Sequence, residues 1–228
     1  MANVVITGAS RGIGLELARH YAAAGDRVFA FCRDPAGAEA LATLATSSSG
    51  RLTAHAMDVA DDASVQGGAA ALDGAAVDVL INNAGINPPG QGLAMTTEVF
   101  REVNEVMLIG PFRVLQAFLP NLERAGTARV MNVTSQIGAS TWRHGGYYAY
   151  AAAKAGLNRL MRSMSVDVKA RGILIGLVHP GFVQTDMGGS GADISPAQSA
   201  AGIAKGTAAL TPETTGGFFD WTGAPHRW

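Results

Sequence analysis

Thr7-Gly8-Ala9-Ser10-Arg11-Gly12-Ile13-Gly14 follows a short apolar run, Val4-Val5-Ile6, and leads into a stretch of good helix formers. Glycines at a strand-to-helix junction let the backbone turn tightly and approach a pyrophosphate. The helix N-terminus beyond them supplies free amides and positive potential. The spacing is TGxxxGxG, so the commoner GxGxxG fingerprint is not met letter for letter. Gly8, Ser10, Arg11, Gly12, Ile13 and Gly14 are therefore candidate cofactor contacts. Glycines that serve only helix–strand packing are the plain alternative.

Outward from this turn, short β-branched or aliphatic runs alternate with longer Ala-rich stretches along the whole chain. Strands are expected at residues 4–7, 27–31, 52–58, 77–82, 129–134, 173–179 and 218–221. Helices are expected at 13–24, 36–46, 63–72, 98–119, 149–171 and 196–208. Pro35 and Pro196 sit where helices begin, and Gly25 follows the end of the first. The pattern implies an α/β chain with a Rossmann-type, doubly wound, parallel sheet of seven strands. One domain is expected over residues 1–228, with a glycine-rich substrate loop at about 186–196.

The chain has 228 residues, 48% of them hydrophobic and 15% charged, enough to bury a substantial core. Its formal net charge is −1 and its lysines and arginines are scattered, so no nucleic-acid partner is expected. Cys32 is the only cysteine, which forbids an intramolecular disulfide and suits a reducing compartment. No apolar run reaches the roughly 18 to 20 residues that span a bilayer, and no basic segment precedes a longer apolar stretch near Met1. The expectation is a cytoplasmic protein with no membrane partner; no metal ligands are assigned.

The second expected strand ends at Phe31-Cys32-Arg33-Asp34, where an NAD-selective protein places a carboxylate on the adenosine ribose. Cys32 stands at that place, with Arg33 next. Arg33 and Arg11 together suit a 2′-phosphate, which favours NADP(H). If the register slips by two residues, Asp34 becomes the ribose acceptor and NAD(H) the cofactor.

Taken together, the glycine turn, Asp58-Val59, Asn82-Asn83-Ala84-Gly85, Ser135, Tyr150-Ala-Ala-Ala-Lys154 and His179-Pro180-Gly181 with Thr185-Asp186 resemble the short-chain dehydrogenase/reductase family over essentially the whole chain. The stretches 145–150, 179–187 and 217–221 are similar to its compact branch of C-factor proteins and Sniffer-like carbonyl reductases. The resemblance implies that Asp58 accepts from the adenine amino group, with the Val59 amide beside it. It implies that Asn83, Ala84 and Gly85 pack beside the adenosine ribose, and that Val183 and Thr185, following Pro180 and Gly181, contact the nicotinamide carboxamide.

A carbonyl reduced by hydride needs a proton on its oxygen, and an unperturbed tyrosine, with pKa about 10, is a poor base for the reverse reaction. Tyr150 and Lys154 are four apart on an expected helix and share a face, so the ammonium is expected to lower the phenol pKa. By the resemblance, Lys154 also reaches the nicotinamide ribose, and Ser135 holds the substrate oxygen near Tyr150. Ser135 precedes Tyr150 by fifteen residues, two more than is usual in the family, and the longer loop, Ser140 to His144, is expected to cover the substrate entrance. His144 is read as an exposed loop residue and His179 as structural.

The main departure is Met107, which stands where the family has an asparagine that supports a water in the proton relay. A thioether does not donate and accepts weakly; Asn104, one turn earlier, is a candidate substitute. The expected activity is reduction of a ketone or aldehyde, or oxidation of an alcohol, with a small hydrophobic substrate. Leu93, Met95, Trp142, Tyr147, Phe182 and Met187 are candidate walls. A dinucleotide-binding sensor or signalling protein with little turnover is the competing reading, and Met107 is its clue. A homodimer or homotetramer through the 98–119 and 149–171 helices and the last strand is a family expectation.

Overall fold

The computed structural model of the chain describes residues 1–228. Seven strands, β1 (Asn3–Thr7), β2 (Arg27–Cys32), β3 (Leu52–Ala56), β4 (Val79–Asn82), β5 (Ala128–Val133), β6 (Ile173–His179) and β7 (Phe218–Asp220), form one sheet. Their order is β3-β2-β1-β4-β5-β6-β7, and every pairing is parallel. Crossover helices cover both faces, as parallel strands require. They are α1 (Gly12–Ala23), α2 (Glu39–Ser47), α3 (Asp62–Ala70), α4 (Thr97–Asn104), α5 (Gly110–Glu123), α6 (Tyr148–Lys169) and α7 (Pro196–Ala208).

Alternation along the strands builds two cores. Val4, Ile6, Val28, Ala30 and Ile81 point to the side packed by α1, α2 and α7. Val5, Phe29, Phe31, Leu80 and Val130 point to the side packed by α3, α5 and α6. Because both faces are covered, the strands read as nearly continuous apolar runs, which is why they were visible in the sequence.

The expected helix at 98–119 is interrupted. A π-turn, Glu105–Ile109, separates α4 from α5. Pro111 has no N–H for the carbonyl of Met107, four residues earlier, and its ring crowds that carbonyl, so the ladder widens just before it. The helix also runs beyond 119, through Pro120 to Glu123, carried by burial of Phe118 and Leu122. No helix is long and apolar enough to cross a membrane.

Candidate active site

The strand order reverses between β1 and β4, and there the turns after their carboxyl ends diverge and leave a crevice. Thr7 and Asn83 build its floor. The buried Thr7 hydroxyl accepts the backbone N–H groups of Asn83 and Ala84, each at 3.1 Å. The Asn83 carboxamide donates to the carbonyls of Thr7 and Gly8, each at 3.1 Å. Gly14 fits under this clasp: a Cβ there would overlap the Gly8 carbonyl oxygen and stand 2.5 Å from Asn83 Nδ2. No side chain caps the start of α1, so its first-turn amides remain available to a ligand.

A cavity of about 440 Å³ opens over this clasp, a size typical of ligand sites. Gly8, Ser10, Arg11, Gly12, Ile13 and Gly14 form one wall, and Arg33, Asp58 and Val59 lie toward β2 and β3. Asn83, Ala84, Gly85, Tyr150, Lys154, Pro180 and Thr185 complete it. An uncapped helix start and a glycine-rich wall fit the pyrophosphate of a dinucleotide.

Gly181 and Val183 lie off this wall. Gly181 packs against Ile194 and Trp221, and Val183 is buried in a bridge to Ile194. Asp58 stands two residues beyond the end of β3, its carboxylate accepting the Ala60 N–H at 2.9 Å. Asp34 is not a wall residue either, since its carboxylate closes a local turn by accepting the Gly37 N–H at 3.0 Å. Arg33 therefore faces the cavity without a competing ribose acceptor. Arg11 is engaged by Asp186, 3.0 Å away across the mouth.

At the other end of the cavity, α6 presents Tyr150 and Lys154. Lys154 is 4% exposed and donates to the Val133 carbonyl at 2.7 Å. With no carboxylate nearby, burial pushes its pKa down to about 7. Burial likewise raises the Tyr150 phenol; Ser135 partly offsets this and Tyr147 adds to it. The expected lowering by Lys154 is thus not what this state shows: burial is the main influence on the phenol, and the lysine gives its hydrogen bond to a strand carbonyl. Ser135 is buried beside it, at the head of a 3₁₀ turn, Gln136–Gly138, with its oxygen accepting the Ile137 N–H at 3.2 Å.

Met107 lines the cavity and is buried. Asn104 does not replace the missing amide, since it donates back to the Phe100 carbonyl at 2.8 Å on the exposed side of α4. Of the six expected substrate walls, Met187 alone borders the cavity. Met95 packs in a small cluster with Met107 and Ala149. Leu93 is 95% exposed, and Trp142 and Phe182 are also on the surface. Tyr147 stands edge-on to Tyr150, 6.4 Å between ring centroids, with exposed His144 stacked on its outer side. Ser140 and the Thr141 amide are tied to the Trp228 carbonyl. Half-buried His179 is held well down, at about 4, mainly by desolvation.

Two contacts of the site carried no signal in the sequence. Thr7 belongs to the glycine motif, yet its clasp on Asn83 joins positions seventy-six residues apart. Gln91 is buried, and its side-chain oxygen accepts the Tyr150 N–H at 2.8 Å.

Residues 2–193 match the family model of the short chain dehydrogenases. The C-signal protein of Myxococcus xanthus is 41% identical over 156 residues, 67% of this chain and 93% of that protein. The crystal structure of NADPH-bound carbonyl reductase from chicken fatty liver superposes with a TM-score of 0.93 at 34% identity, covering 100% of this chain and 99% of that one. Carbonyl reductase Sniffer of D. melanogaster gives 0.94 at 29% identity, over 100% of both chains.

Proposed function

Because the chain belongs to the short-chain dehydrogenase family, we propose that it is an NADPH-dependent carbonyl reductase acting on small hydrophobic ketones or aldehydes, and on the matching alcohols in reverse. One observation carries this reading: Tyr150 and Lys154 stand on the wall of the same cavity as the glycine cradle. The likeness to carbonyl reductases, one of them NADPH-bound, supports it.

The nicotinamide cofactor supplies the hydride when bound. Tyr150, protonated at neutral pH, gives its phenolic proton to the carbonyl oxygen as negative charge develops there. Ser135 holds that oxygen in place, so that proton transfer needs no search. Lys154 gives one hydrogen bond to Val133, and its remaining N–H groups would hold the ribose of a bound cofactor. Arg33 and Arg11, both on the cavity wall, would hold the 2′-phosphate of a bound NADP(H).

The test is NADPH oxidation across a panel of ketones and aldehydes, in the wild type and in Tyr150→Phe. Turnover by the first and its loss in the second are expected. A second reading, a dinucleotide-binding signalling protein, is favoured by Met107 and by the likeness to C-signal. It predicts NADPH binding without turnover on any carbonyl. We also propose a homodimer or homotetramer: Phe100, Ile109 and Val166 expose apolar surface along α4, the π-turn and α6, and a native-mass measurement tests it.

A further inference from the structure

The first four N–H groups of a helix have no partner inside it, and a side chain at the N-cap position usually satisfies one of them. Helix α6 lacks that device. Its N-cap is Tyr147, a left-handed residue at φ 54° whose side chain makes no capping bond. The amide of Tyr150, third in the helix, would be an orphan next to the reacting phenol. Gln91, 6% exposed and on a different segment, takes its place: Oε1 accepts the Tyr150 N–H at 2.8 Å.

The Gln91 carboxamide is itself locked. Its Nε2 donates to Asn87 Oδ1 at 2.8 Å and to the Pro88 carbonyl at 3.0 Å. The Tyr150 amide requires an acceptor and the Pro88 carbonyl a donor, so only one orientation of the amide satisfies all three bonds. The Gln91 carbonyl also accepts the Tyr148 N–H at 3.4 Å. The segment that continues from the cavity-lining run Asn83 to Ile86 is thereby pinned to the one turn of α6 that carries the phenol.

We infer that Gln91 is a positioning residue, which sets where the Tyr150 phenol stands relative to the cofactor cleft by holding the Tyr150 main chain. It touches no reacting atom and acts only through Tyr150. The inference rests on the proposed role of that phenol, and its test is built on quantities that exist with or without turnover.

Three readouts on the full chain, with NADP⁺ bound, compare the wild type with Gln91→Leu and Gln91→Glu. Hydrogen exchange at the Tyr150 amide is expected to quicken about tenfold or more in Gln91→Leu and by less in Gln91→Glu, which keeps the acceptor for that amide but loses the bond to the Pro88 carbonyl. The phenol titration, followed by absorbance against Tyr150→Phe, is expected to move by about one pH unit in Gln91→Leu, since the phenol leaves its present surroundings. Turnover is expected to fall about tenfold while NADPH affinity stays within about twofold, a split that general loosening would not give. If Gln91→Leu does not fold, Asn87→Ala removes one restraint on the same amide and is expected to shift all three readouts in the same direction by less.

Unchanged exchange in the folded leucine variant would overturn the clamp. Faster exchange with an unmoved titration and unchanged turnover would reduce Gln91 to a helix cap and overturn the positioning role. A wild type that reduces no carbonyl would sink the enzyme reading alone, and exchange and titration would still decide the role of Gln91.

Discussion

Lys154 Nζ stands 5.8 Å from the centroid of the Tyr150 ring and gives its hydrogen bond to the Val133 carbonyl, not to the phenol. Burial then governs both groups: the phenol is held above its ordinary value and the lysine is brought down to about 7. A protonated phenol is the form that donates to a carbonyl oxygen, which suits the reductive direction of the proposed reaction. Oxidation of an alcohol needs the phenolate, and its rate is expected to keep rising on the alkaline side.

Tyr150→Phe removes the phenolic hydroxyl that the proposed reaction uses as its proton donor. Turnover is expected to fall by about 10² to 10⁴-fold, while NADPH binding, followed by quenching of protein fluorescence, stays close to that of the wild type. A phenylalanine variant that still reduces carbonyls at the wild-type rate would remove Tyr150 from the chemistry.

The buried lysine makes a thermodynamic prediction that needs no substrate. Its pKa is about 7 in the folded chain and 10.5 for an ordinary lysine, so between those limits the unfolded chain binds a proton that the folded chain has released. Stability therefore rises with pH across this window. From pH 7 to pH 9 the gain from this group is about 2 kcal/mol at most. Urea unfolding of cofactor-free protein at the two pH values should show it, and Lys154→Met should lack that share of the rise. Identical pH dependence in the two proteins would mean that Lys154 keeps its proton in the fold.

The architecture was legible because parallel strands covered on both faces leave apolar runs such as Val4-Val5-Ile6 and Ile173 to Val178. The cradle was legible because its chemistry is local, carried by glycines within one turn. Where the reading fell short, the cause lies outside the local sequence. The break before Pro111 depends on a lost bond to Met107, and a helical pattern on both sides hides it. The state of Tyr150 depends on its burial in the folded chain, which a four-residue spacing to Lys154 does not reveal. Most of the expected substrate walls are surface residues, because residue type alone does not tell a pocket lining from an exposed rim.

Arg33 lines the cavity while the neighbouring Asp34 carboxylate is used by Gly37, and the proposed preference for NADP(H) rests on it. A charged hydrogen bond to a phosphate contributes about 1.5 to 3 kcal/mol, so Arg33→Ala is expected to weaken NADPH about 10 to 100-fold and leave NADH nearly unchanged. Asp186→Asn, which frees Arg11, is expected to tighten NADPH. Steady-state comparison of the two coenzymes checks both, and an unchanged ratio in Arg33→Ala would count against the NADP(H) assignment.

Gly138 offers a separate test of how the site is held together, because it lies where the turn after Ser135 meets α6. A Cβ at Gly138 would stand 2.7 Å from the Lys154 carbonyl carbon and 2.8 Å from its Cβ. Both are parts of the helix with no freedom to yield, so Gly138→Ala must push the turn away from α6. Overpacking of this kind costs about 1 to 3 kcal/mol. It also moves Ser135 relative to Tyr150 and weakens the Asn158 bond to the Gly138 carbonyl. A lower melting temperature together with a fall in turnover larger than the loss of NADPH affinity is therefore expected. Gly67, where a Cβ would meet nothing within 4 Å, is the control: Gly67→Ala keeps the melting temperature or raises it, since alanine favours the helix. If both alanine variants melt and turn over alike, close contact between the Ser135 turn and α6 does not hold the site.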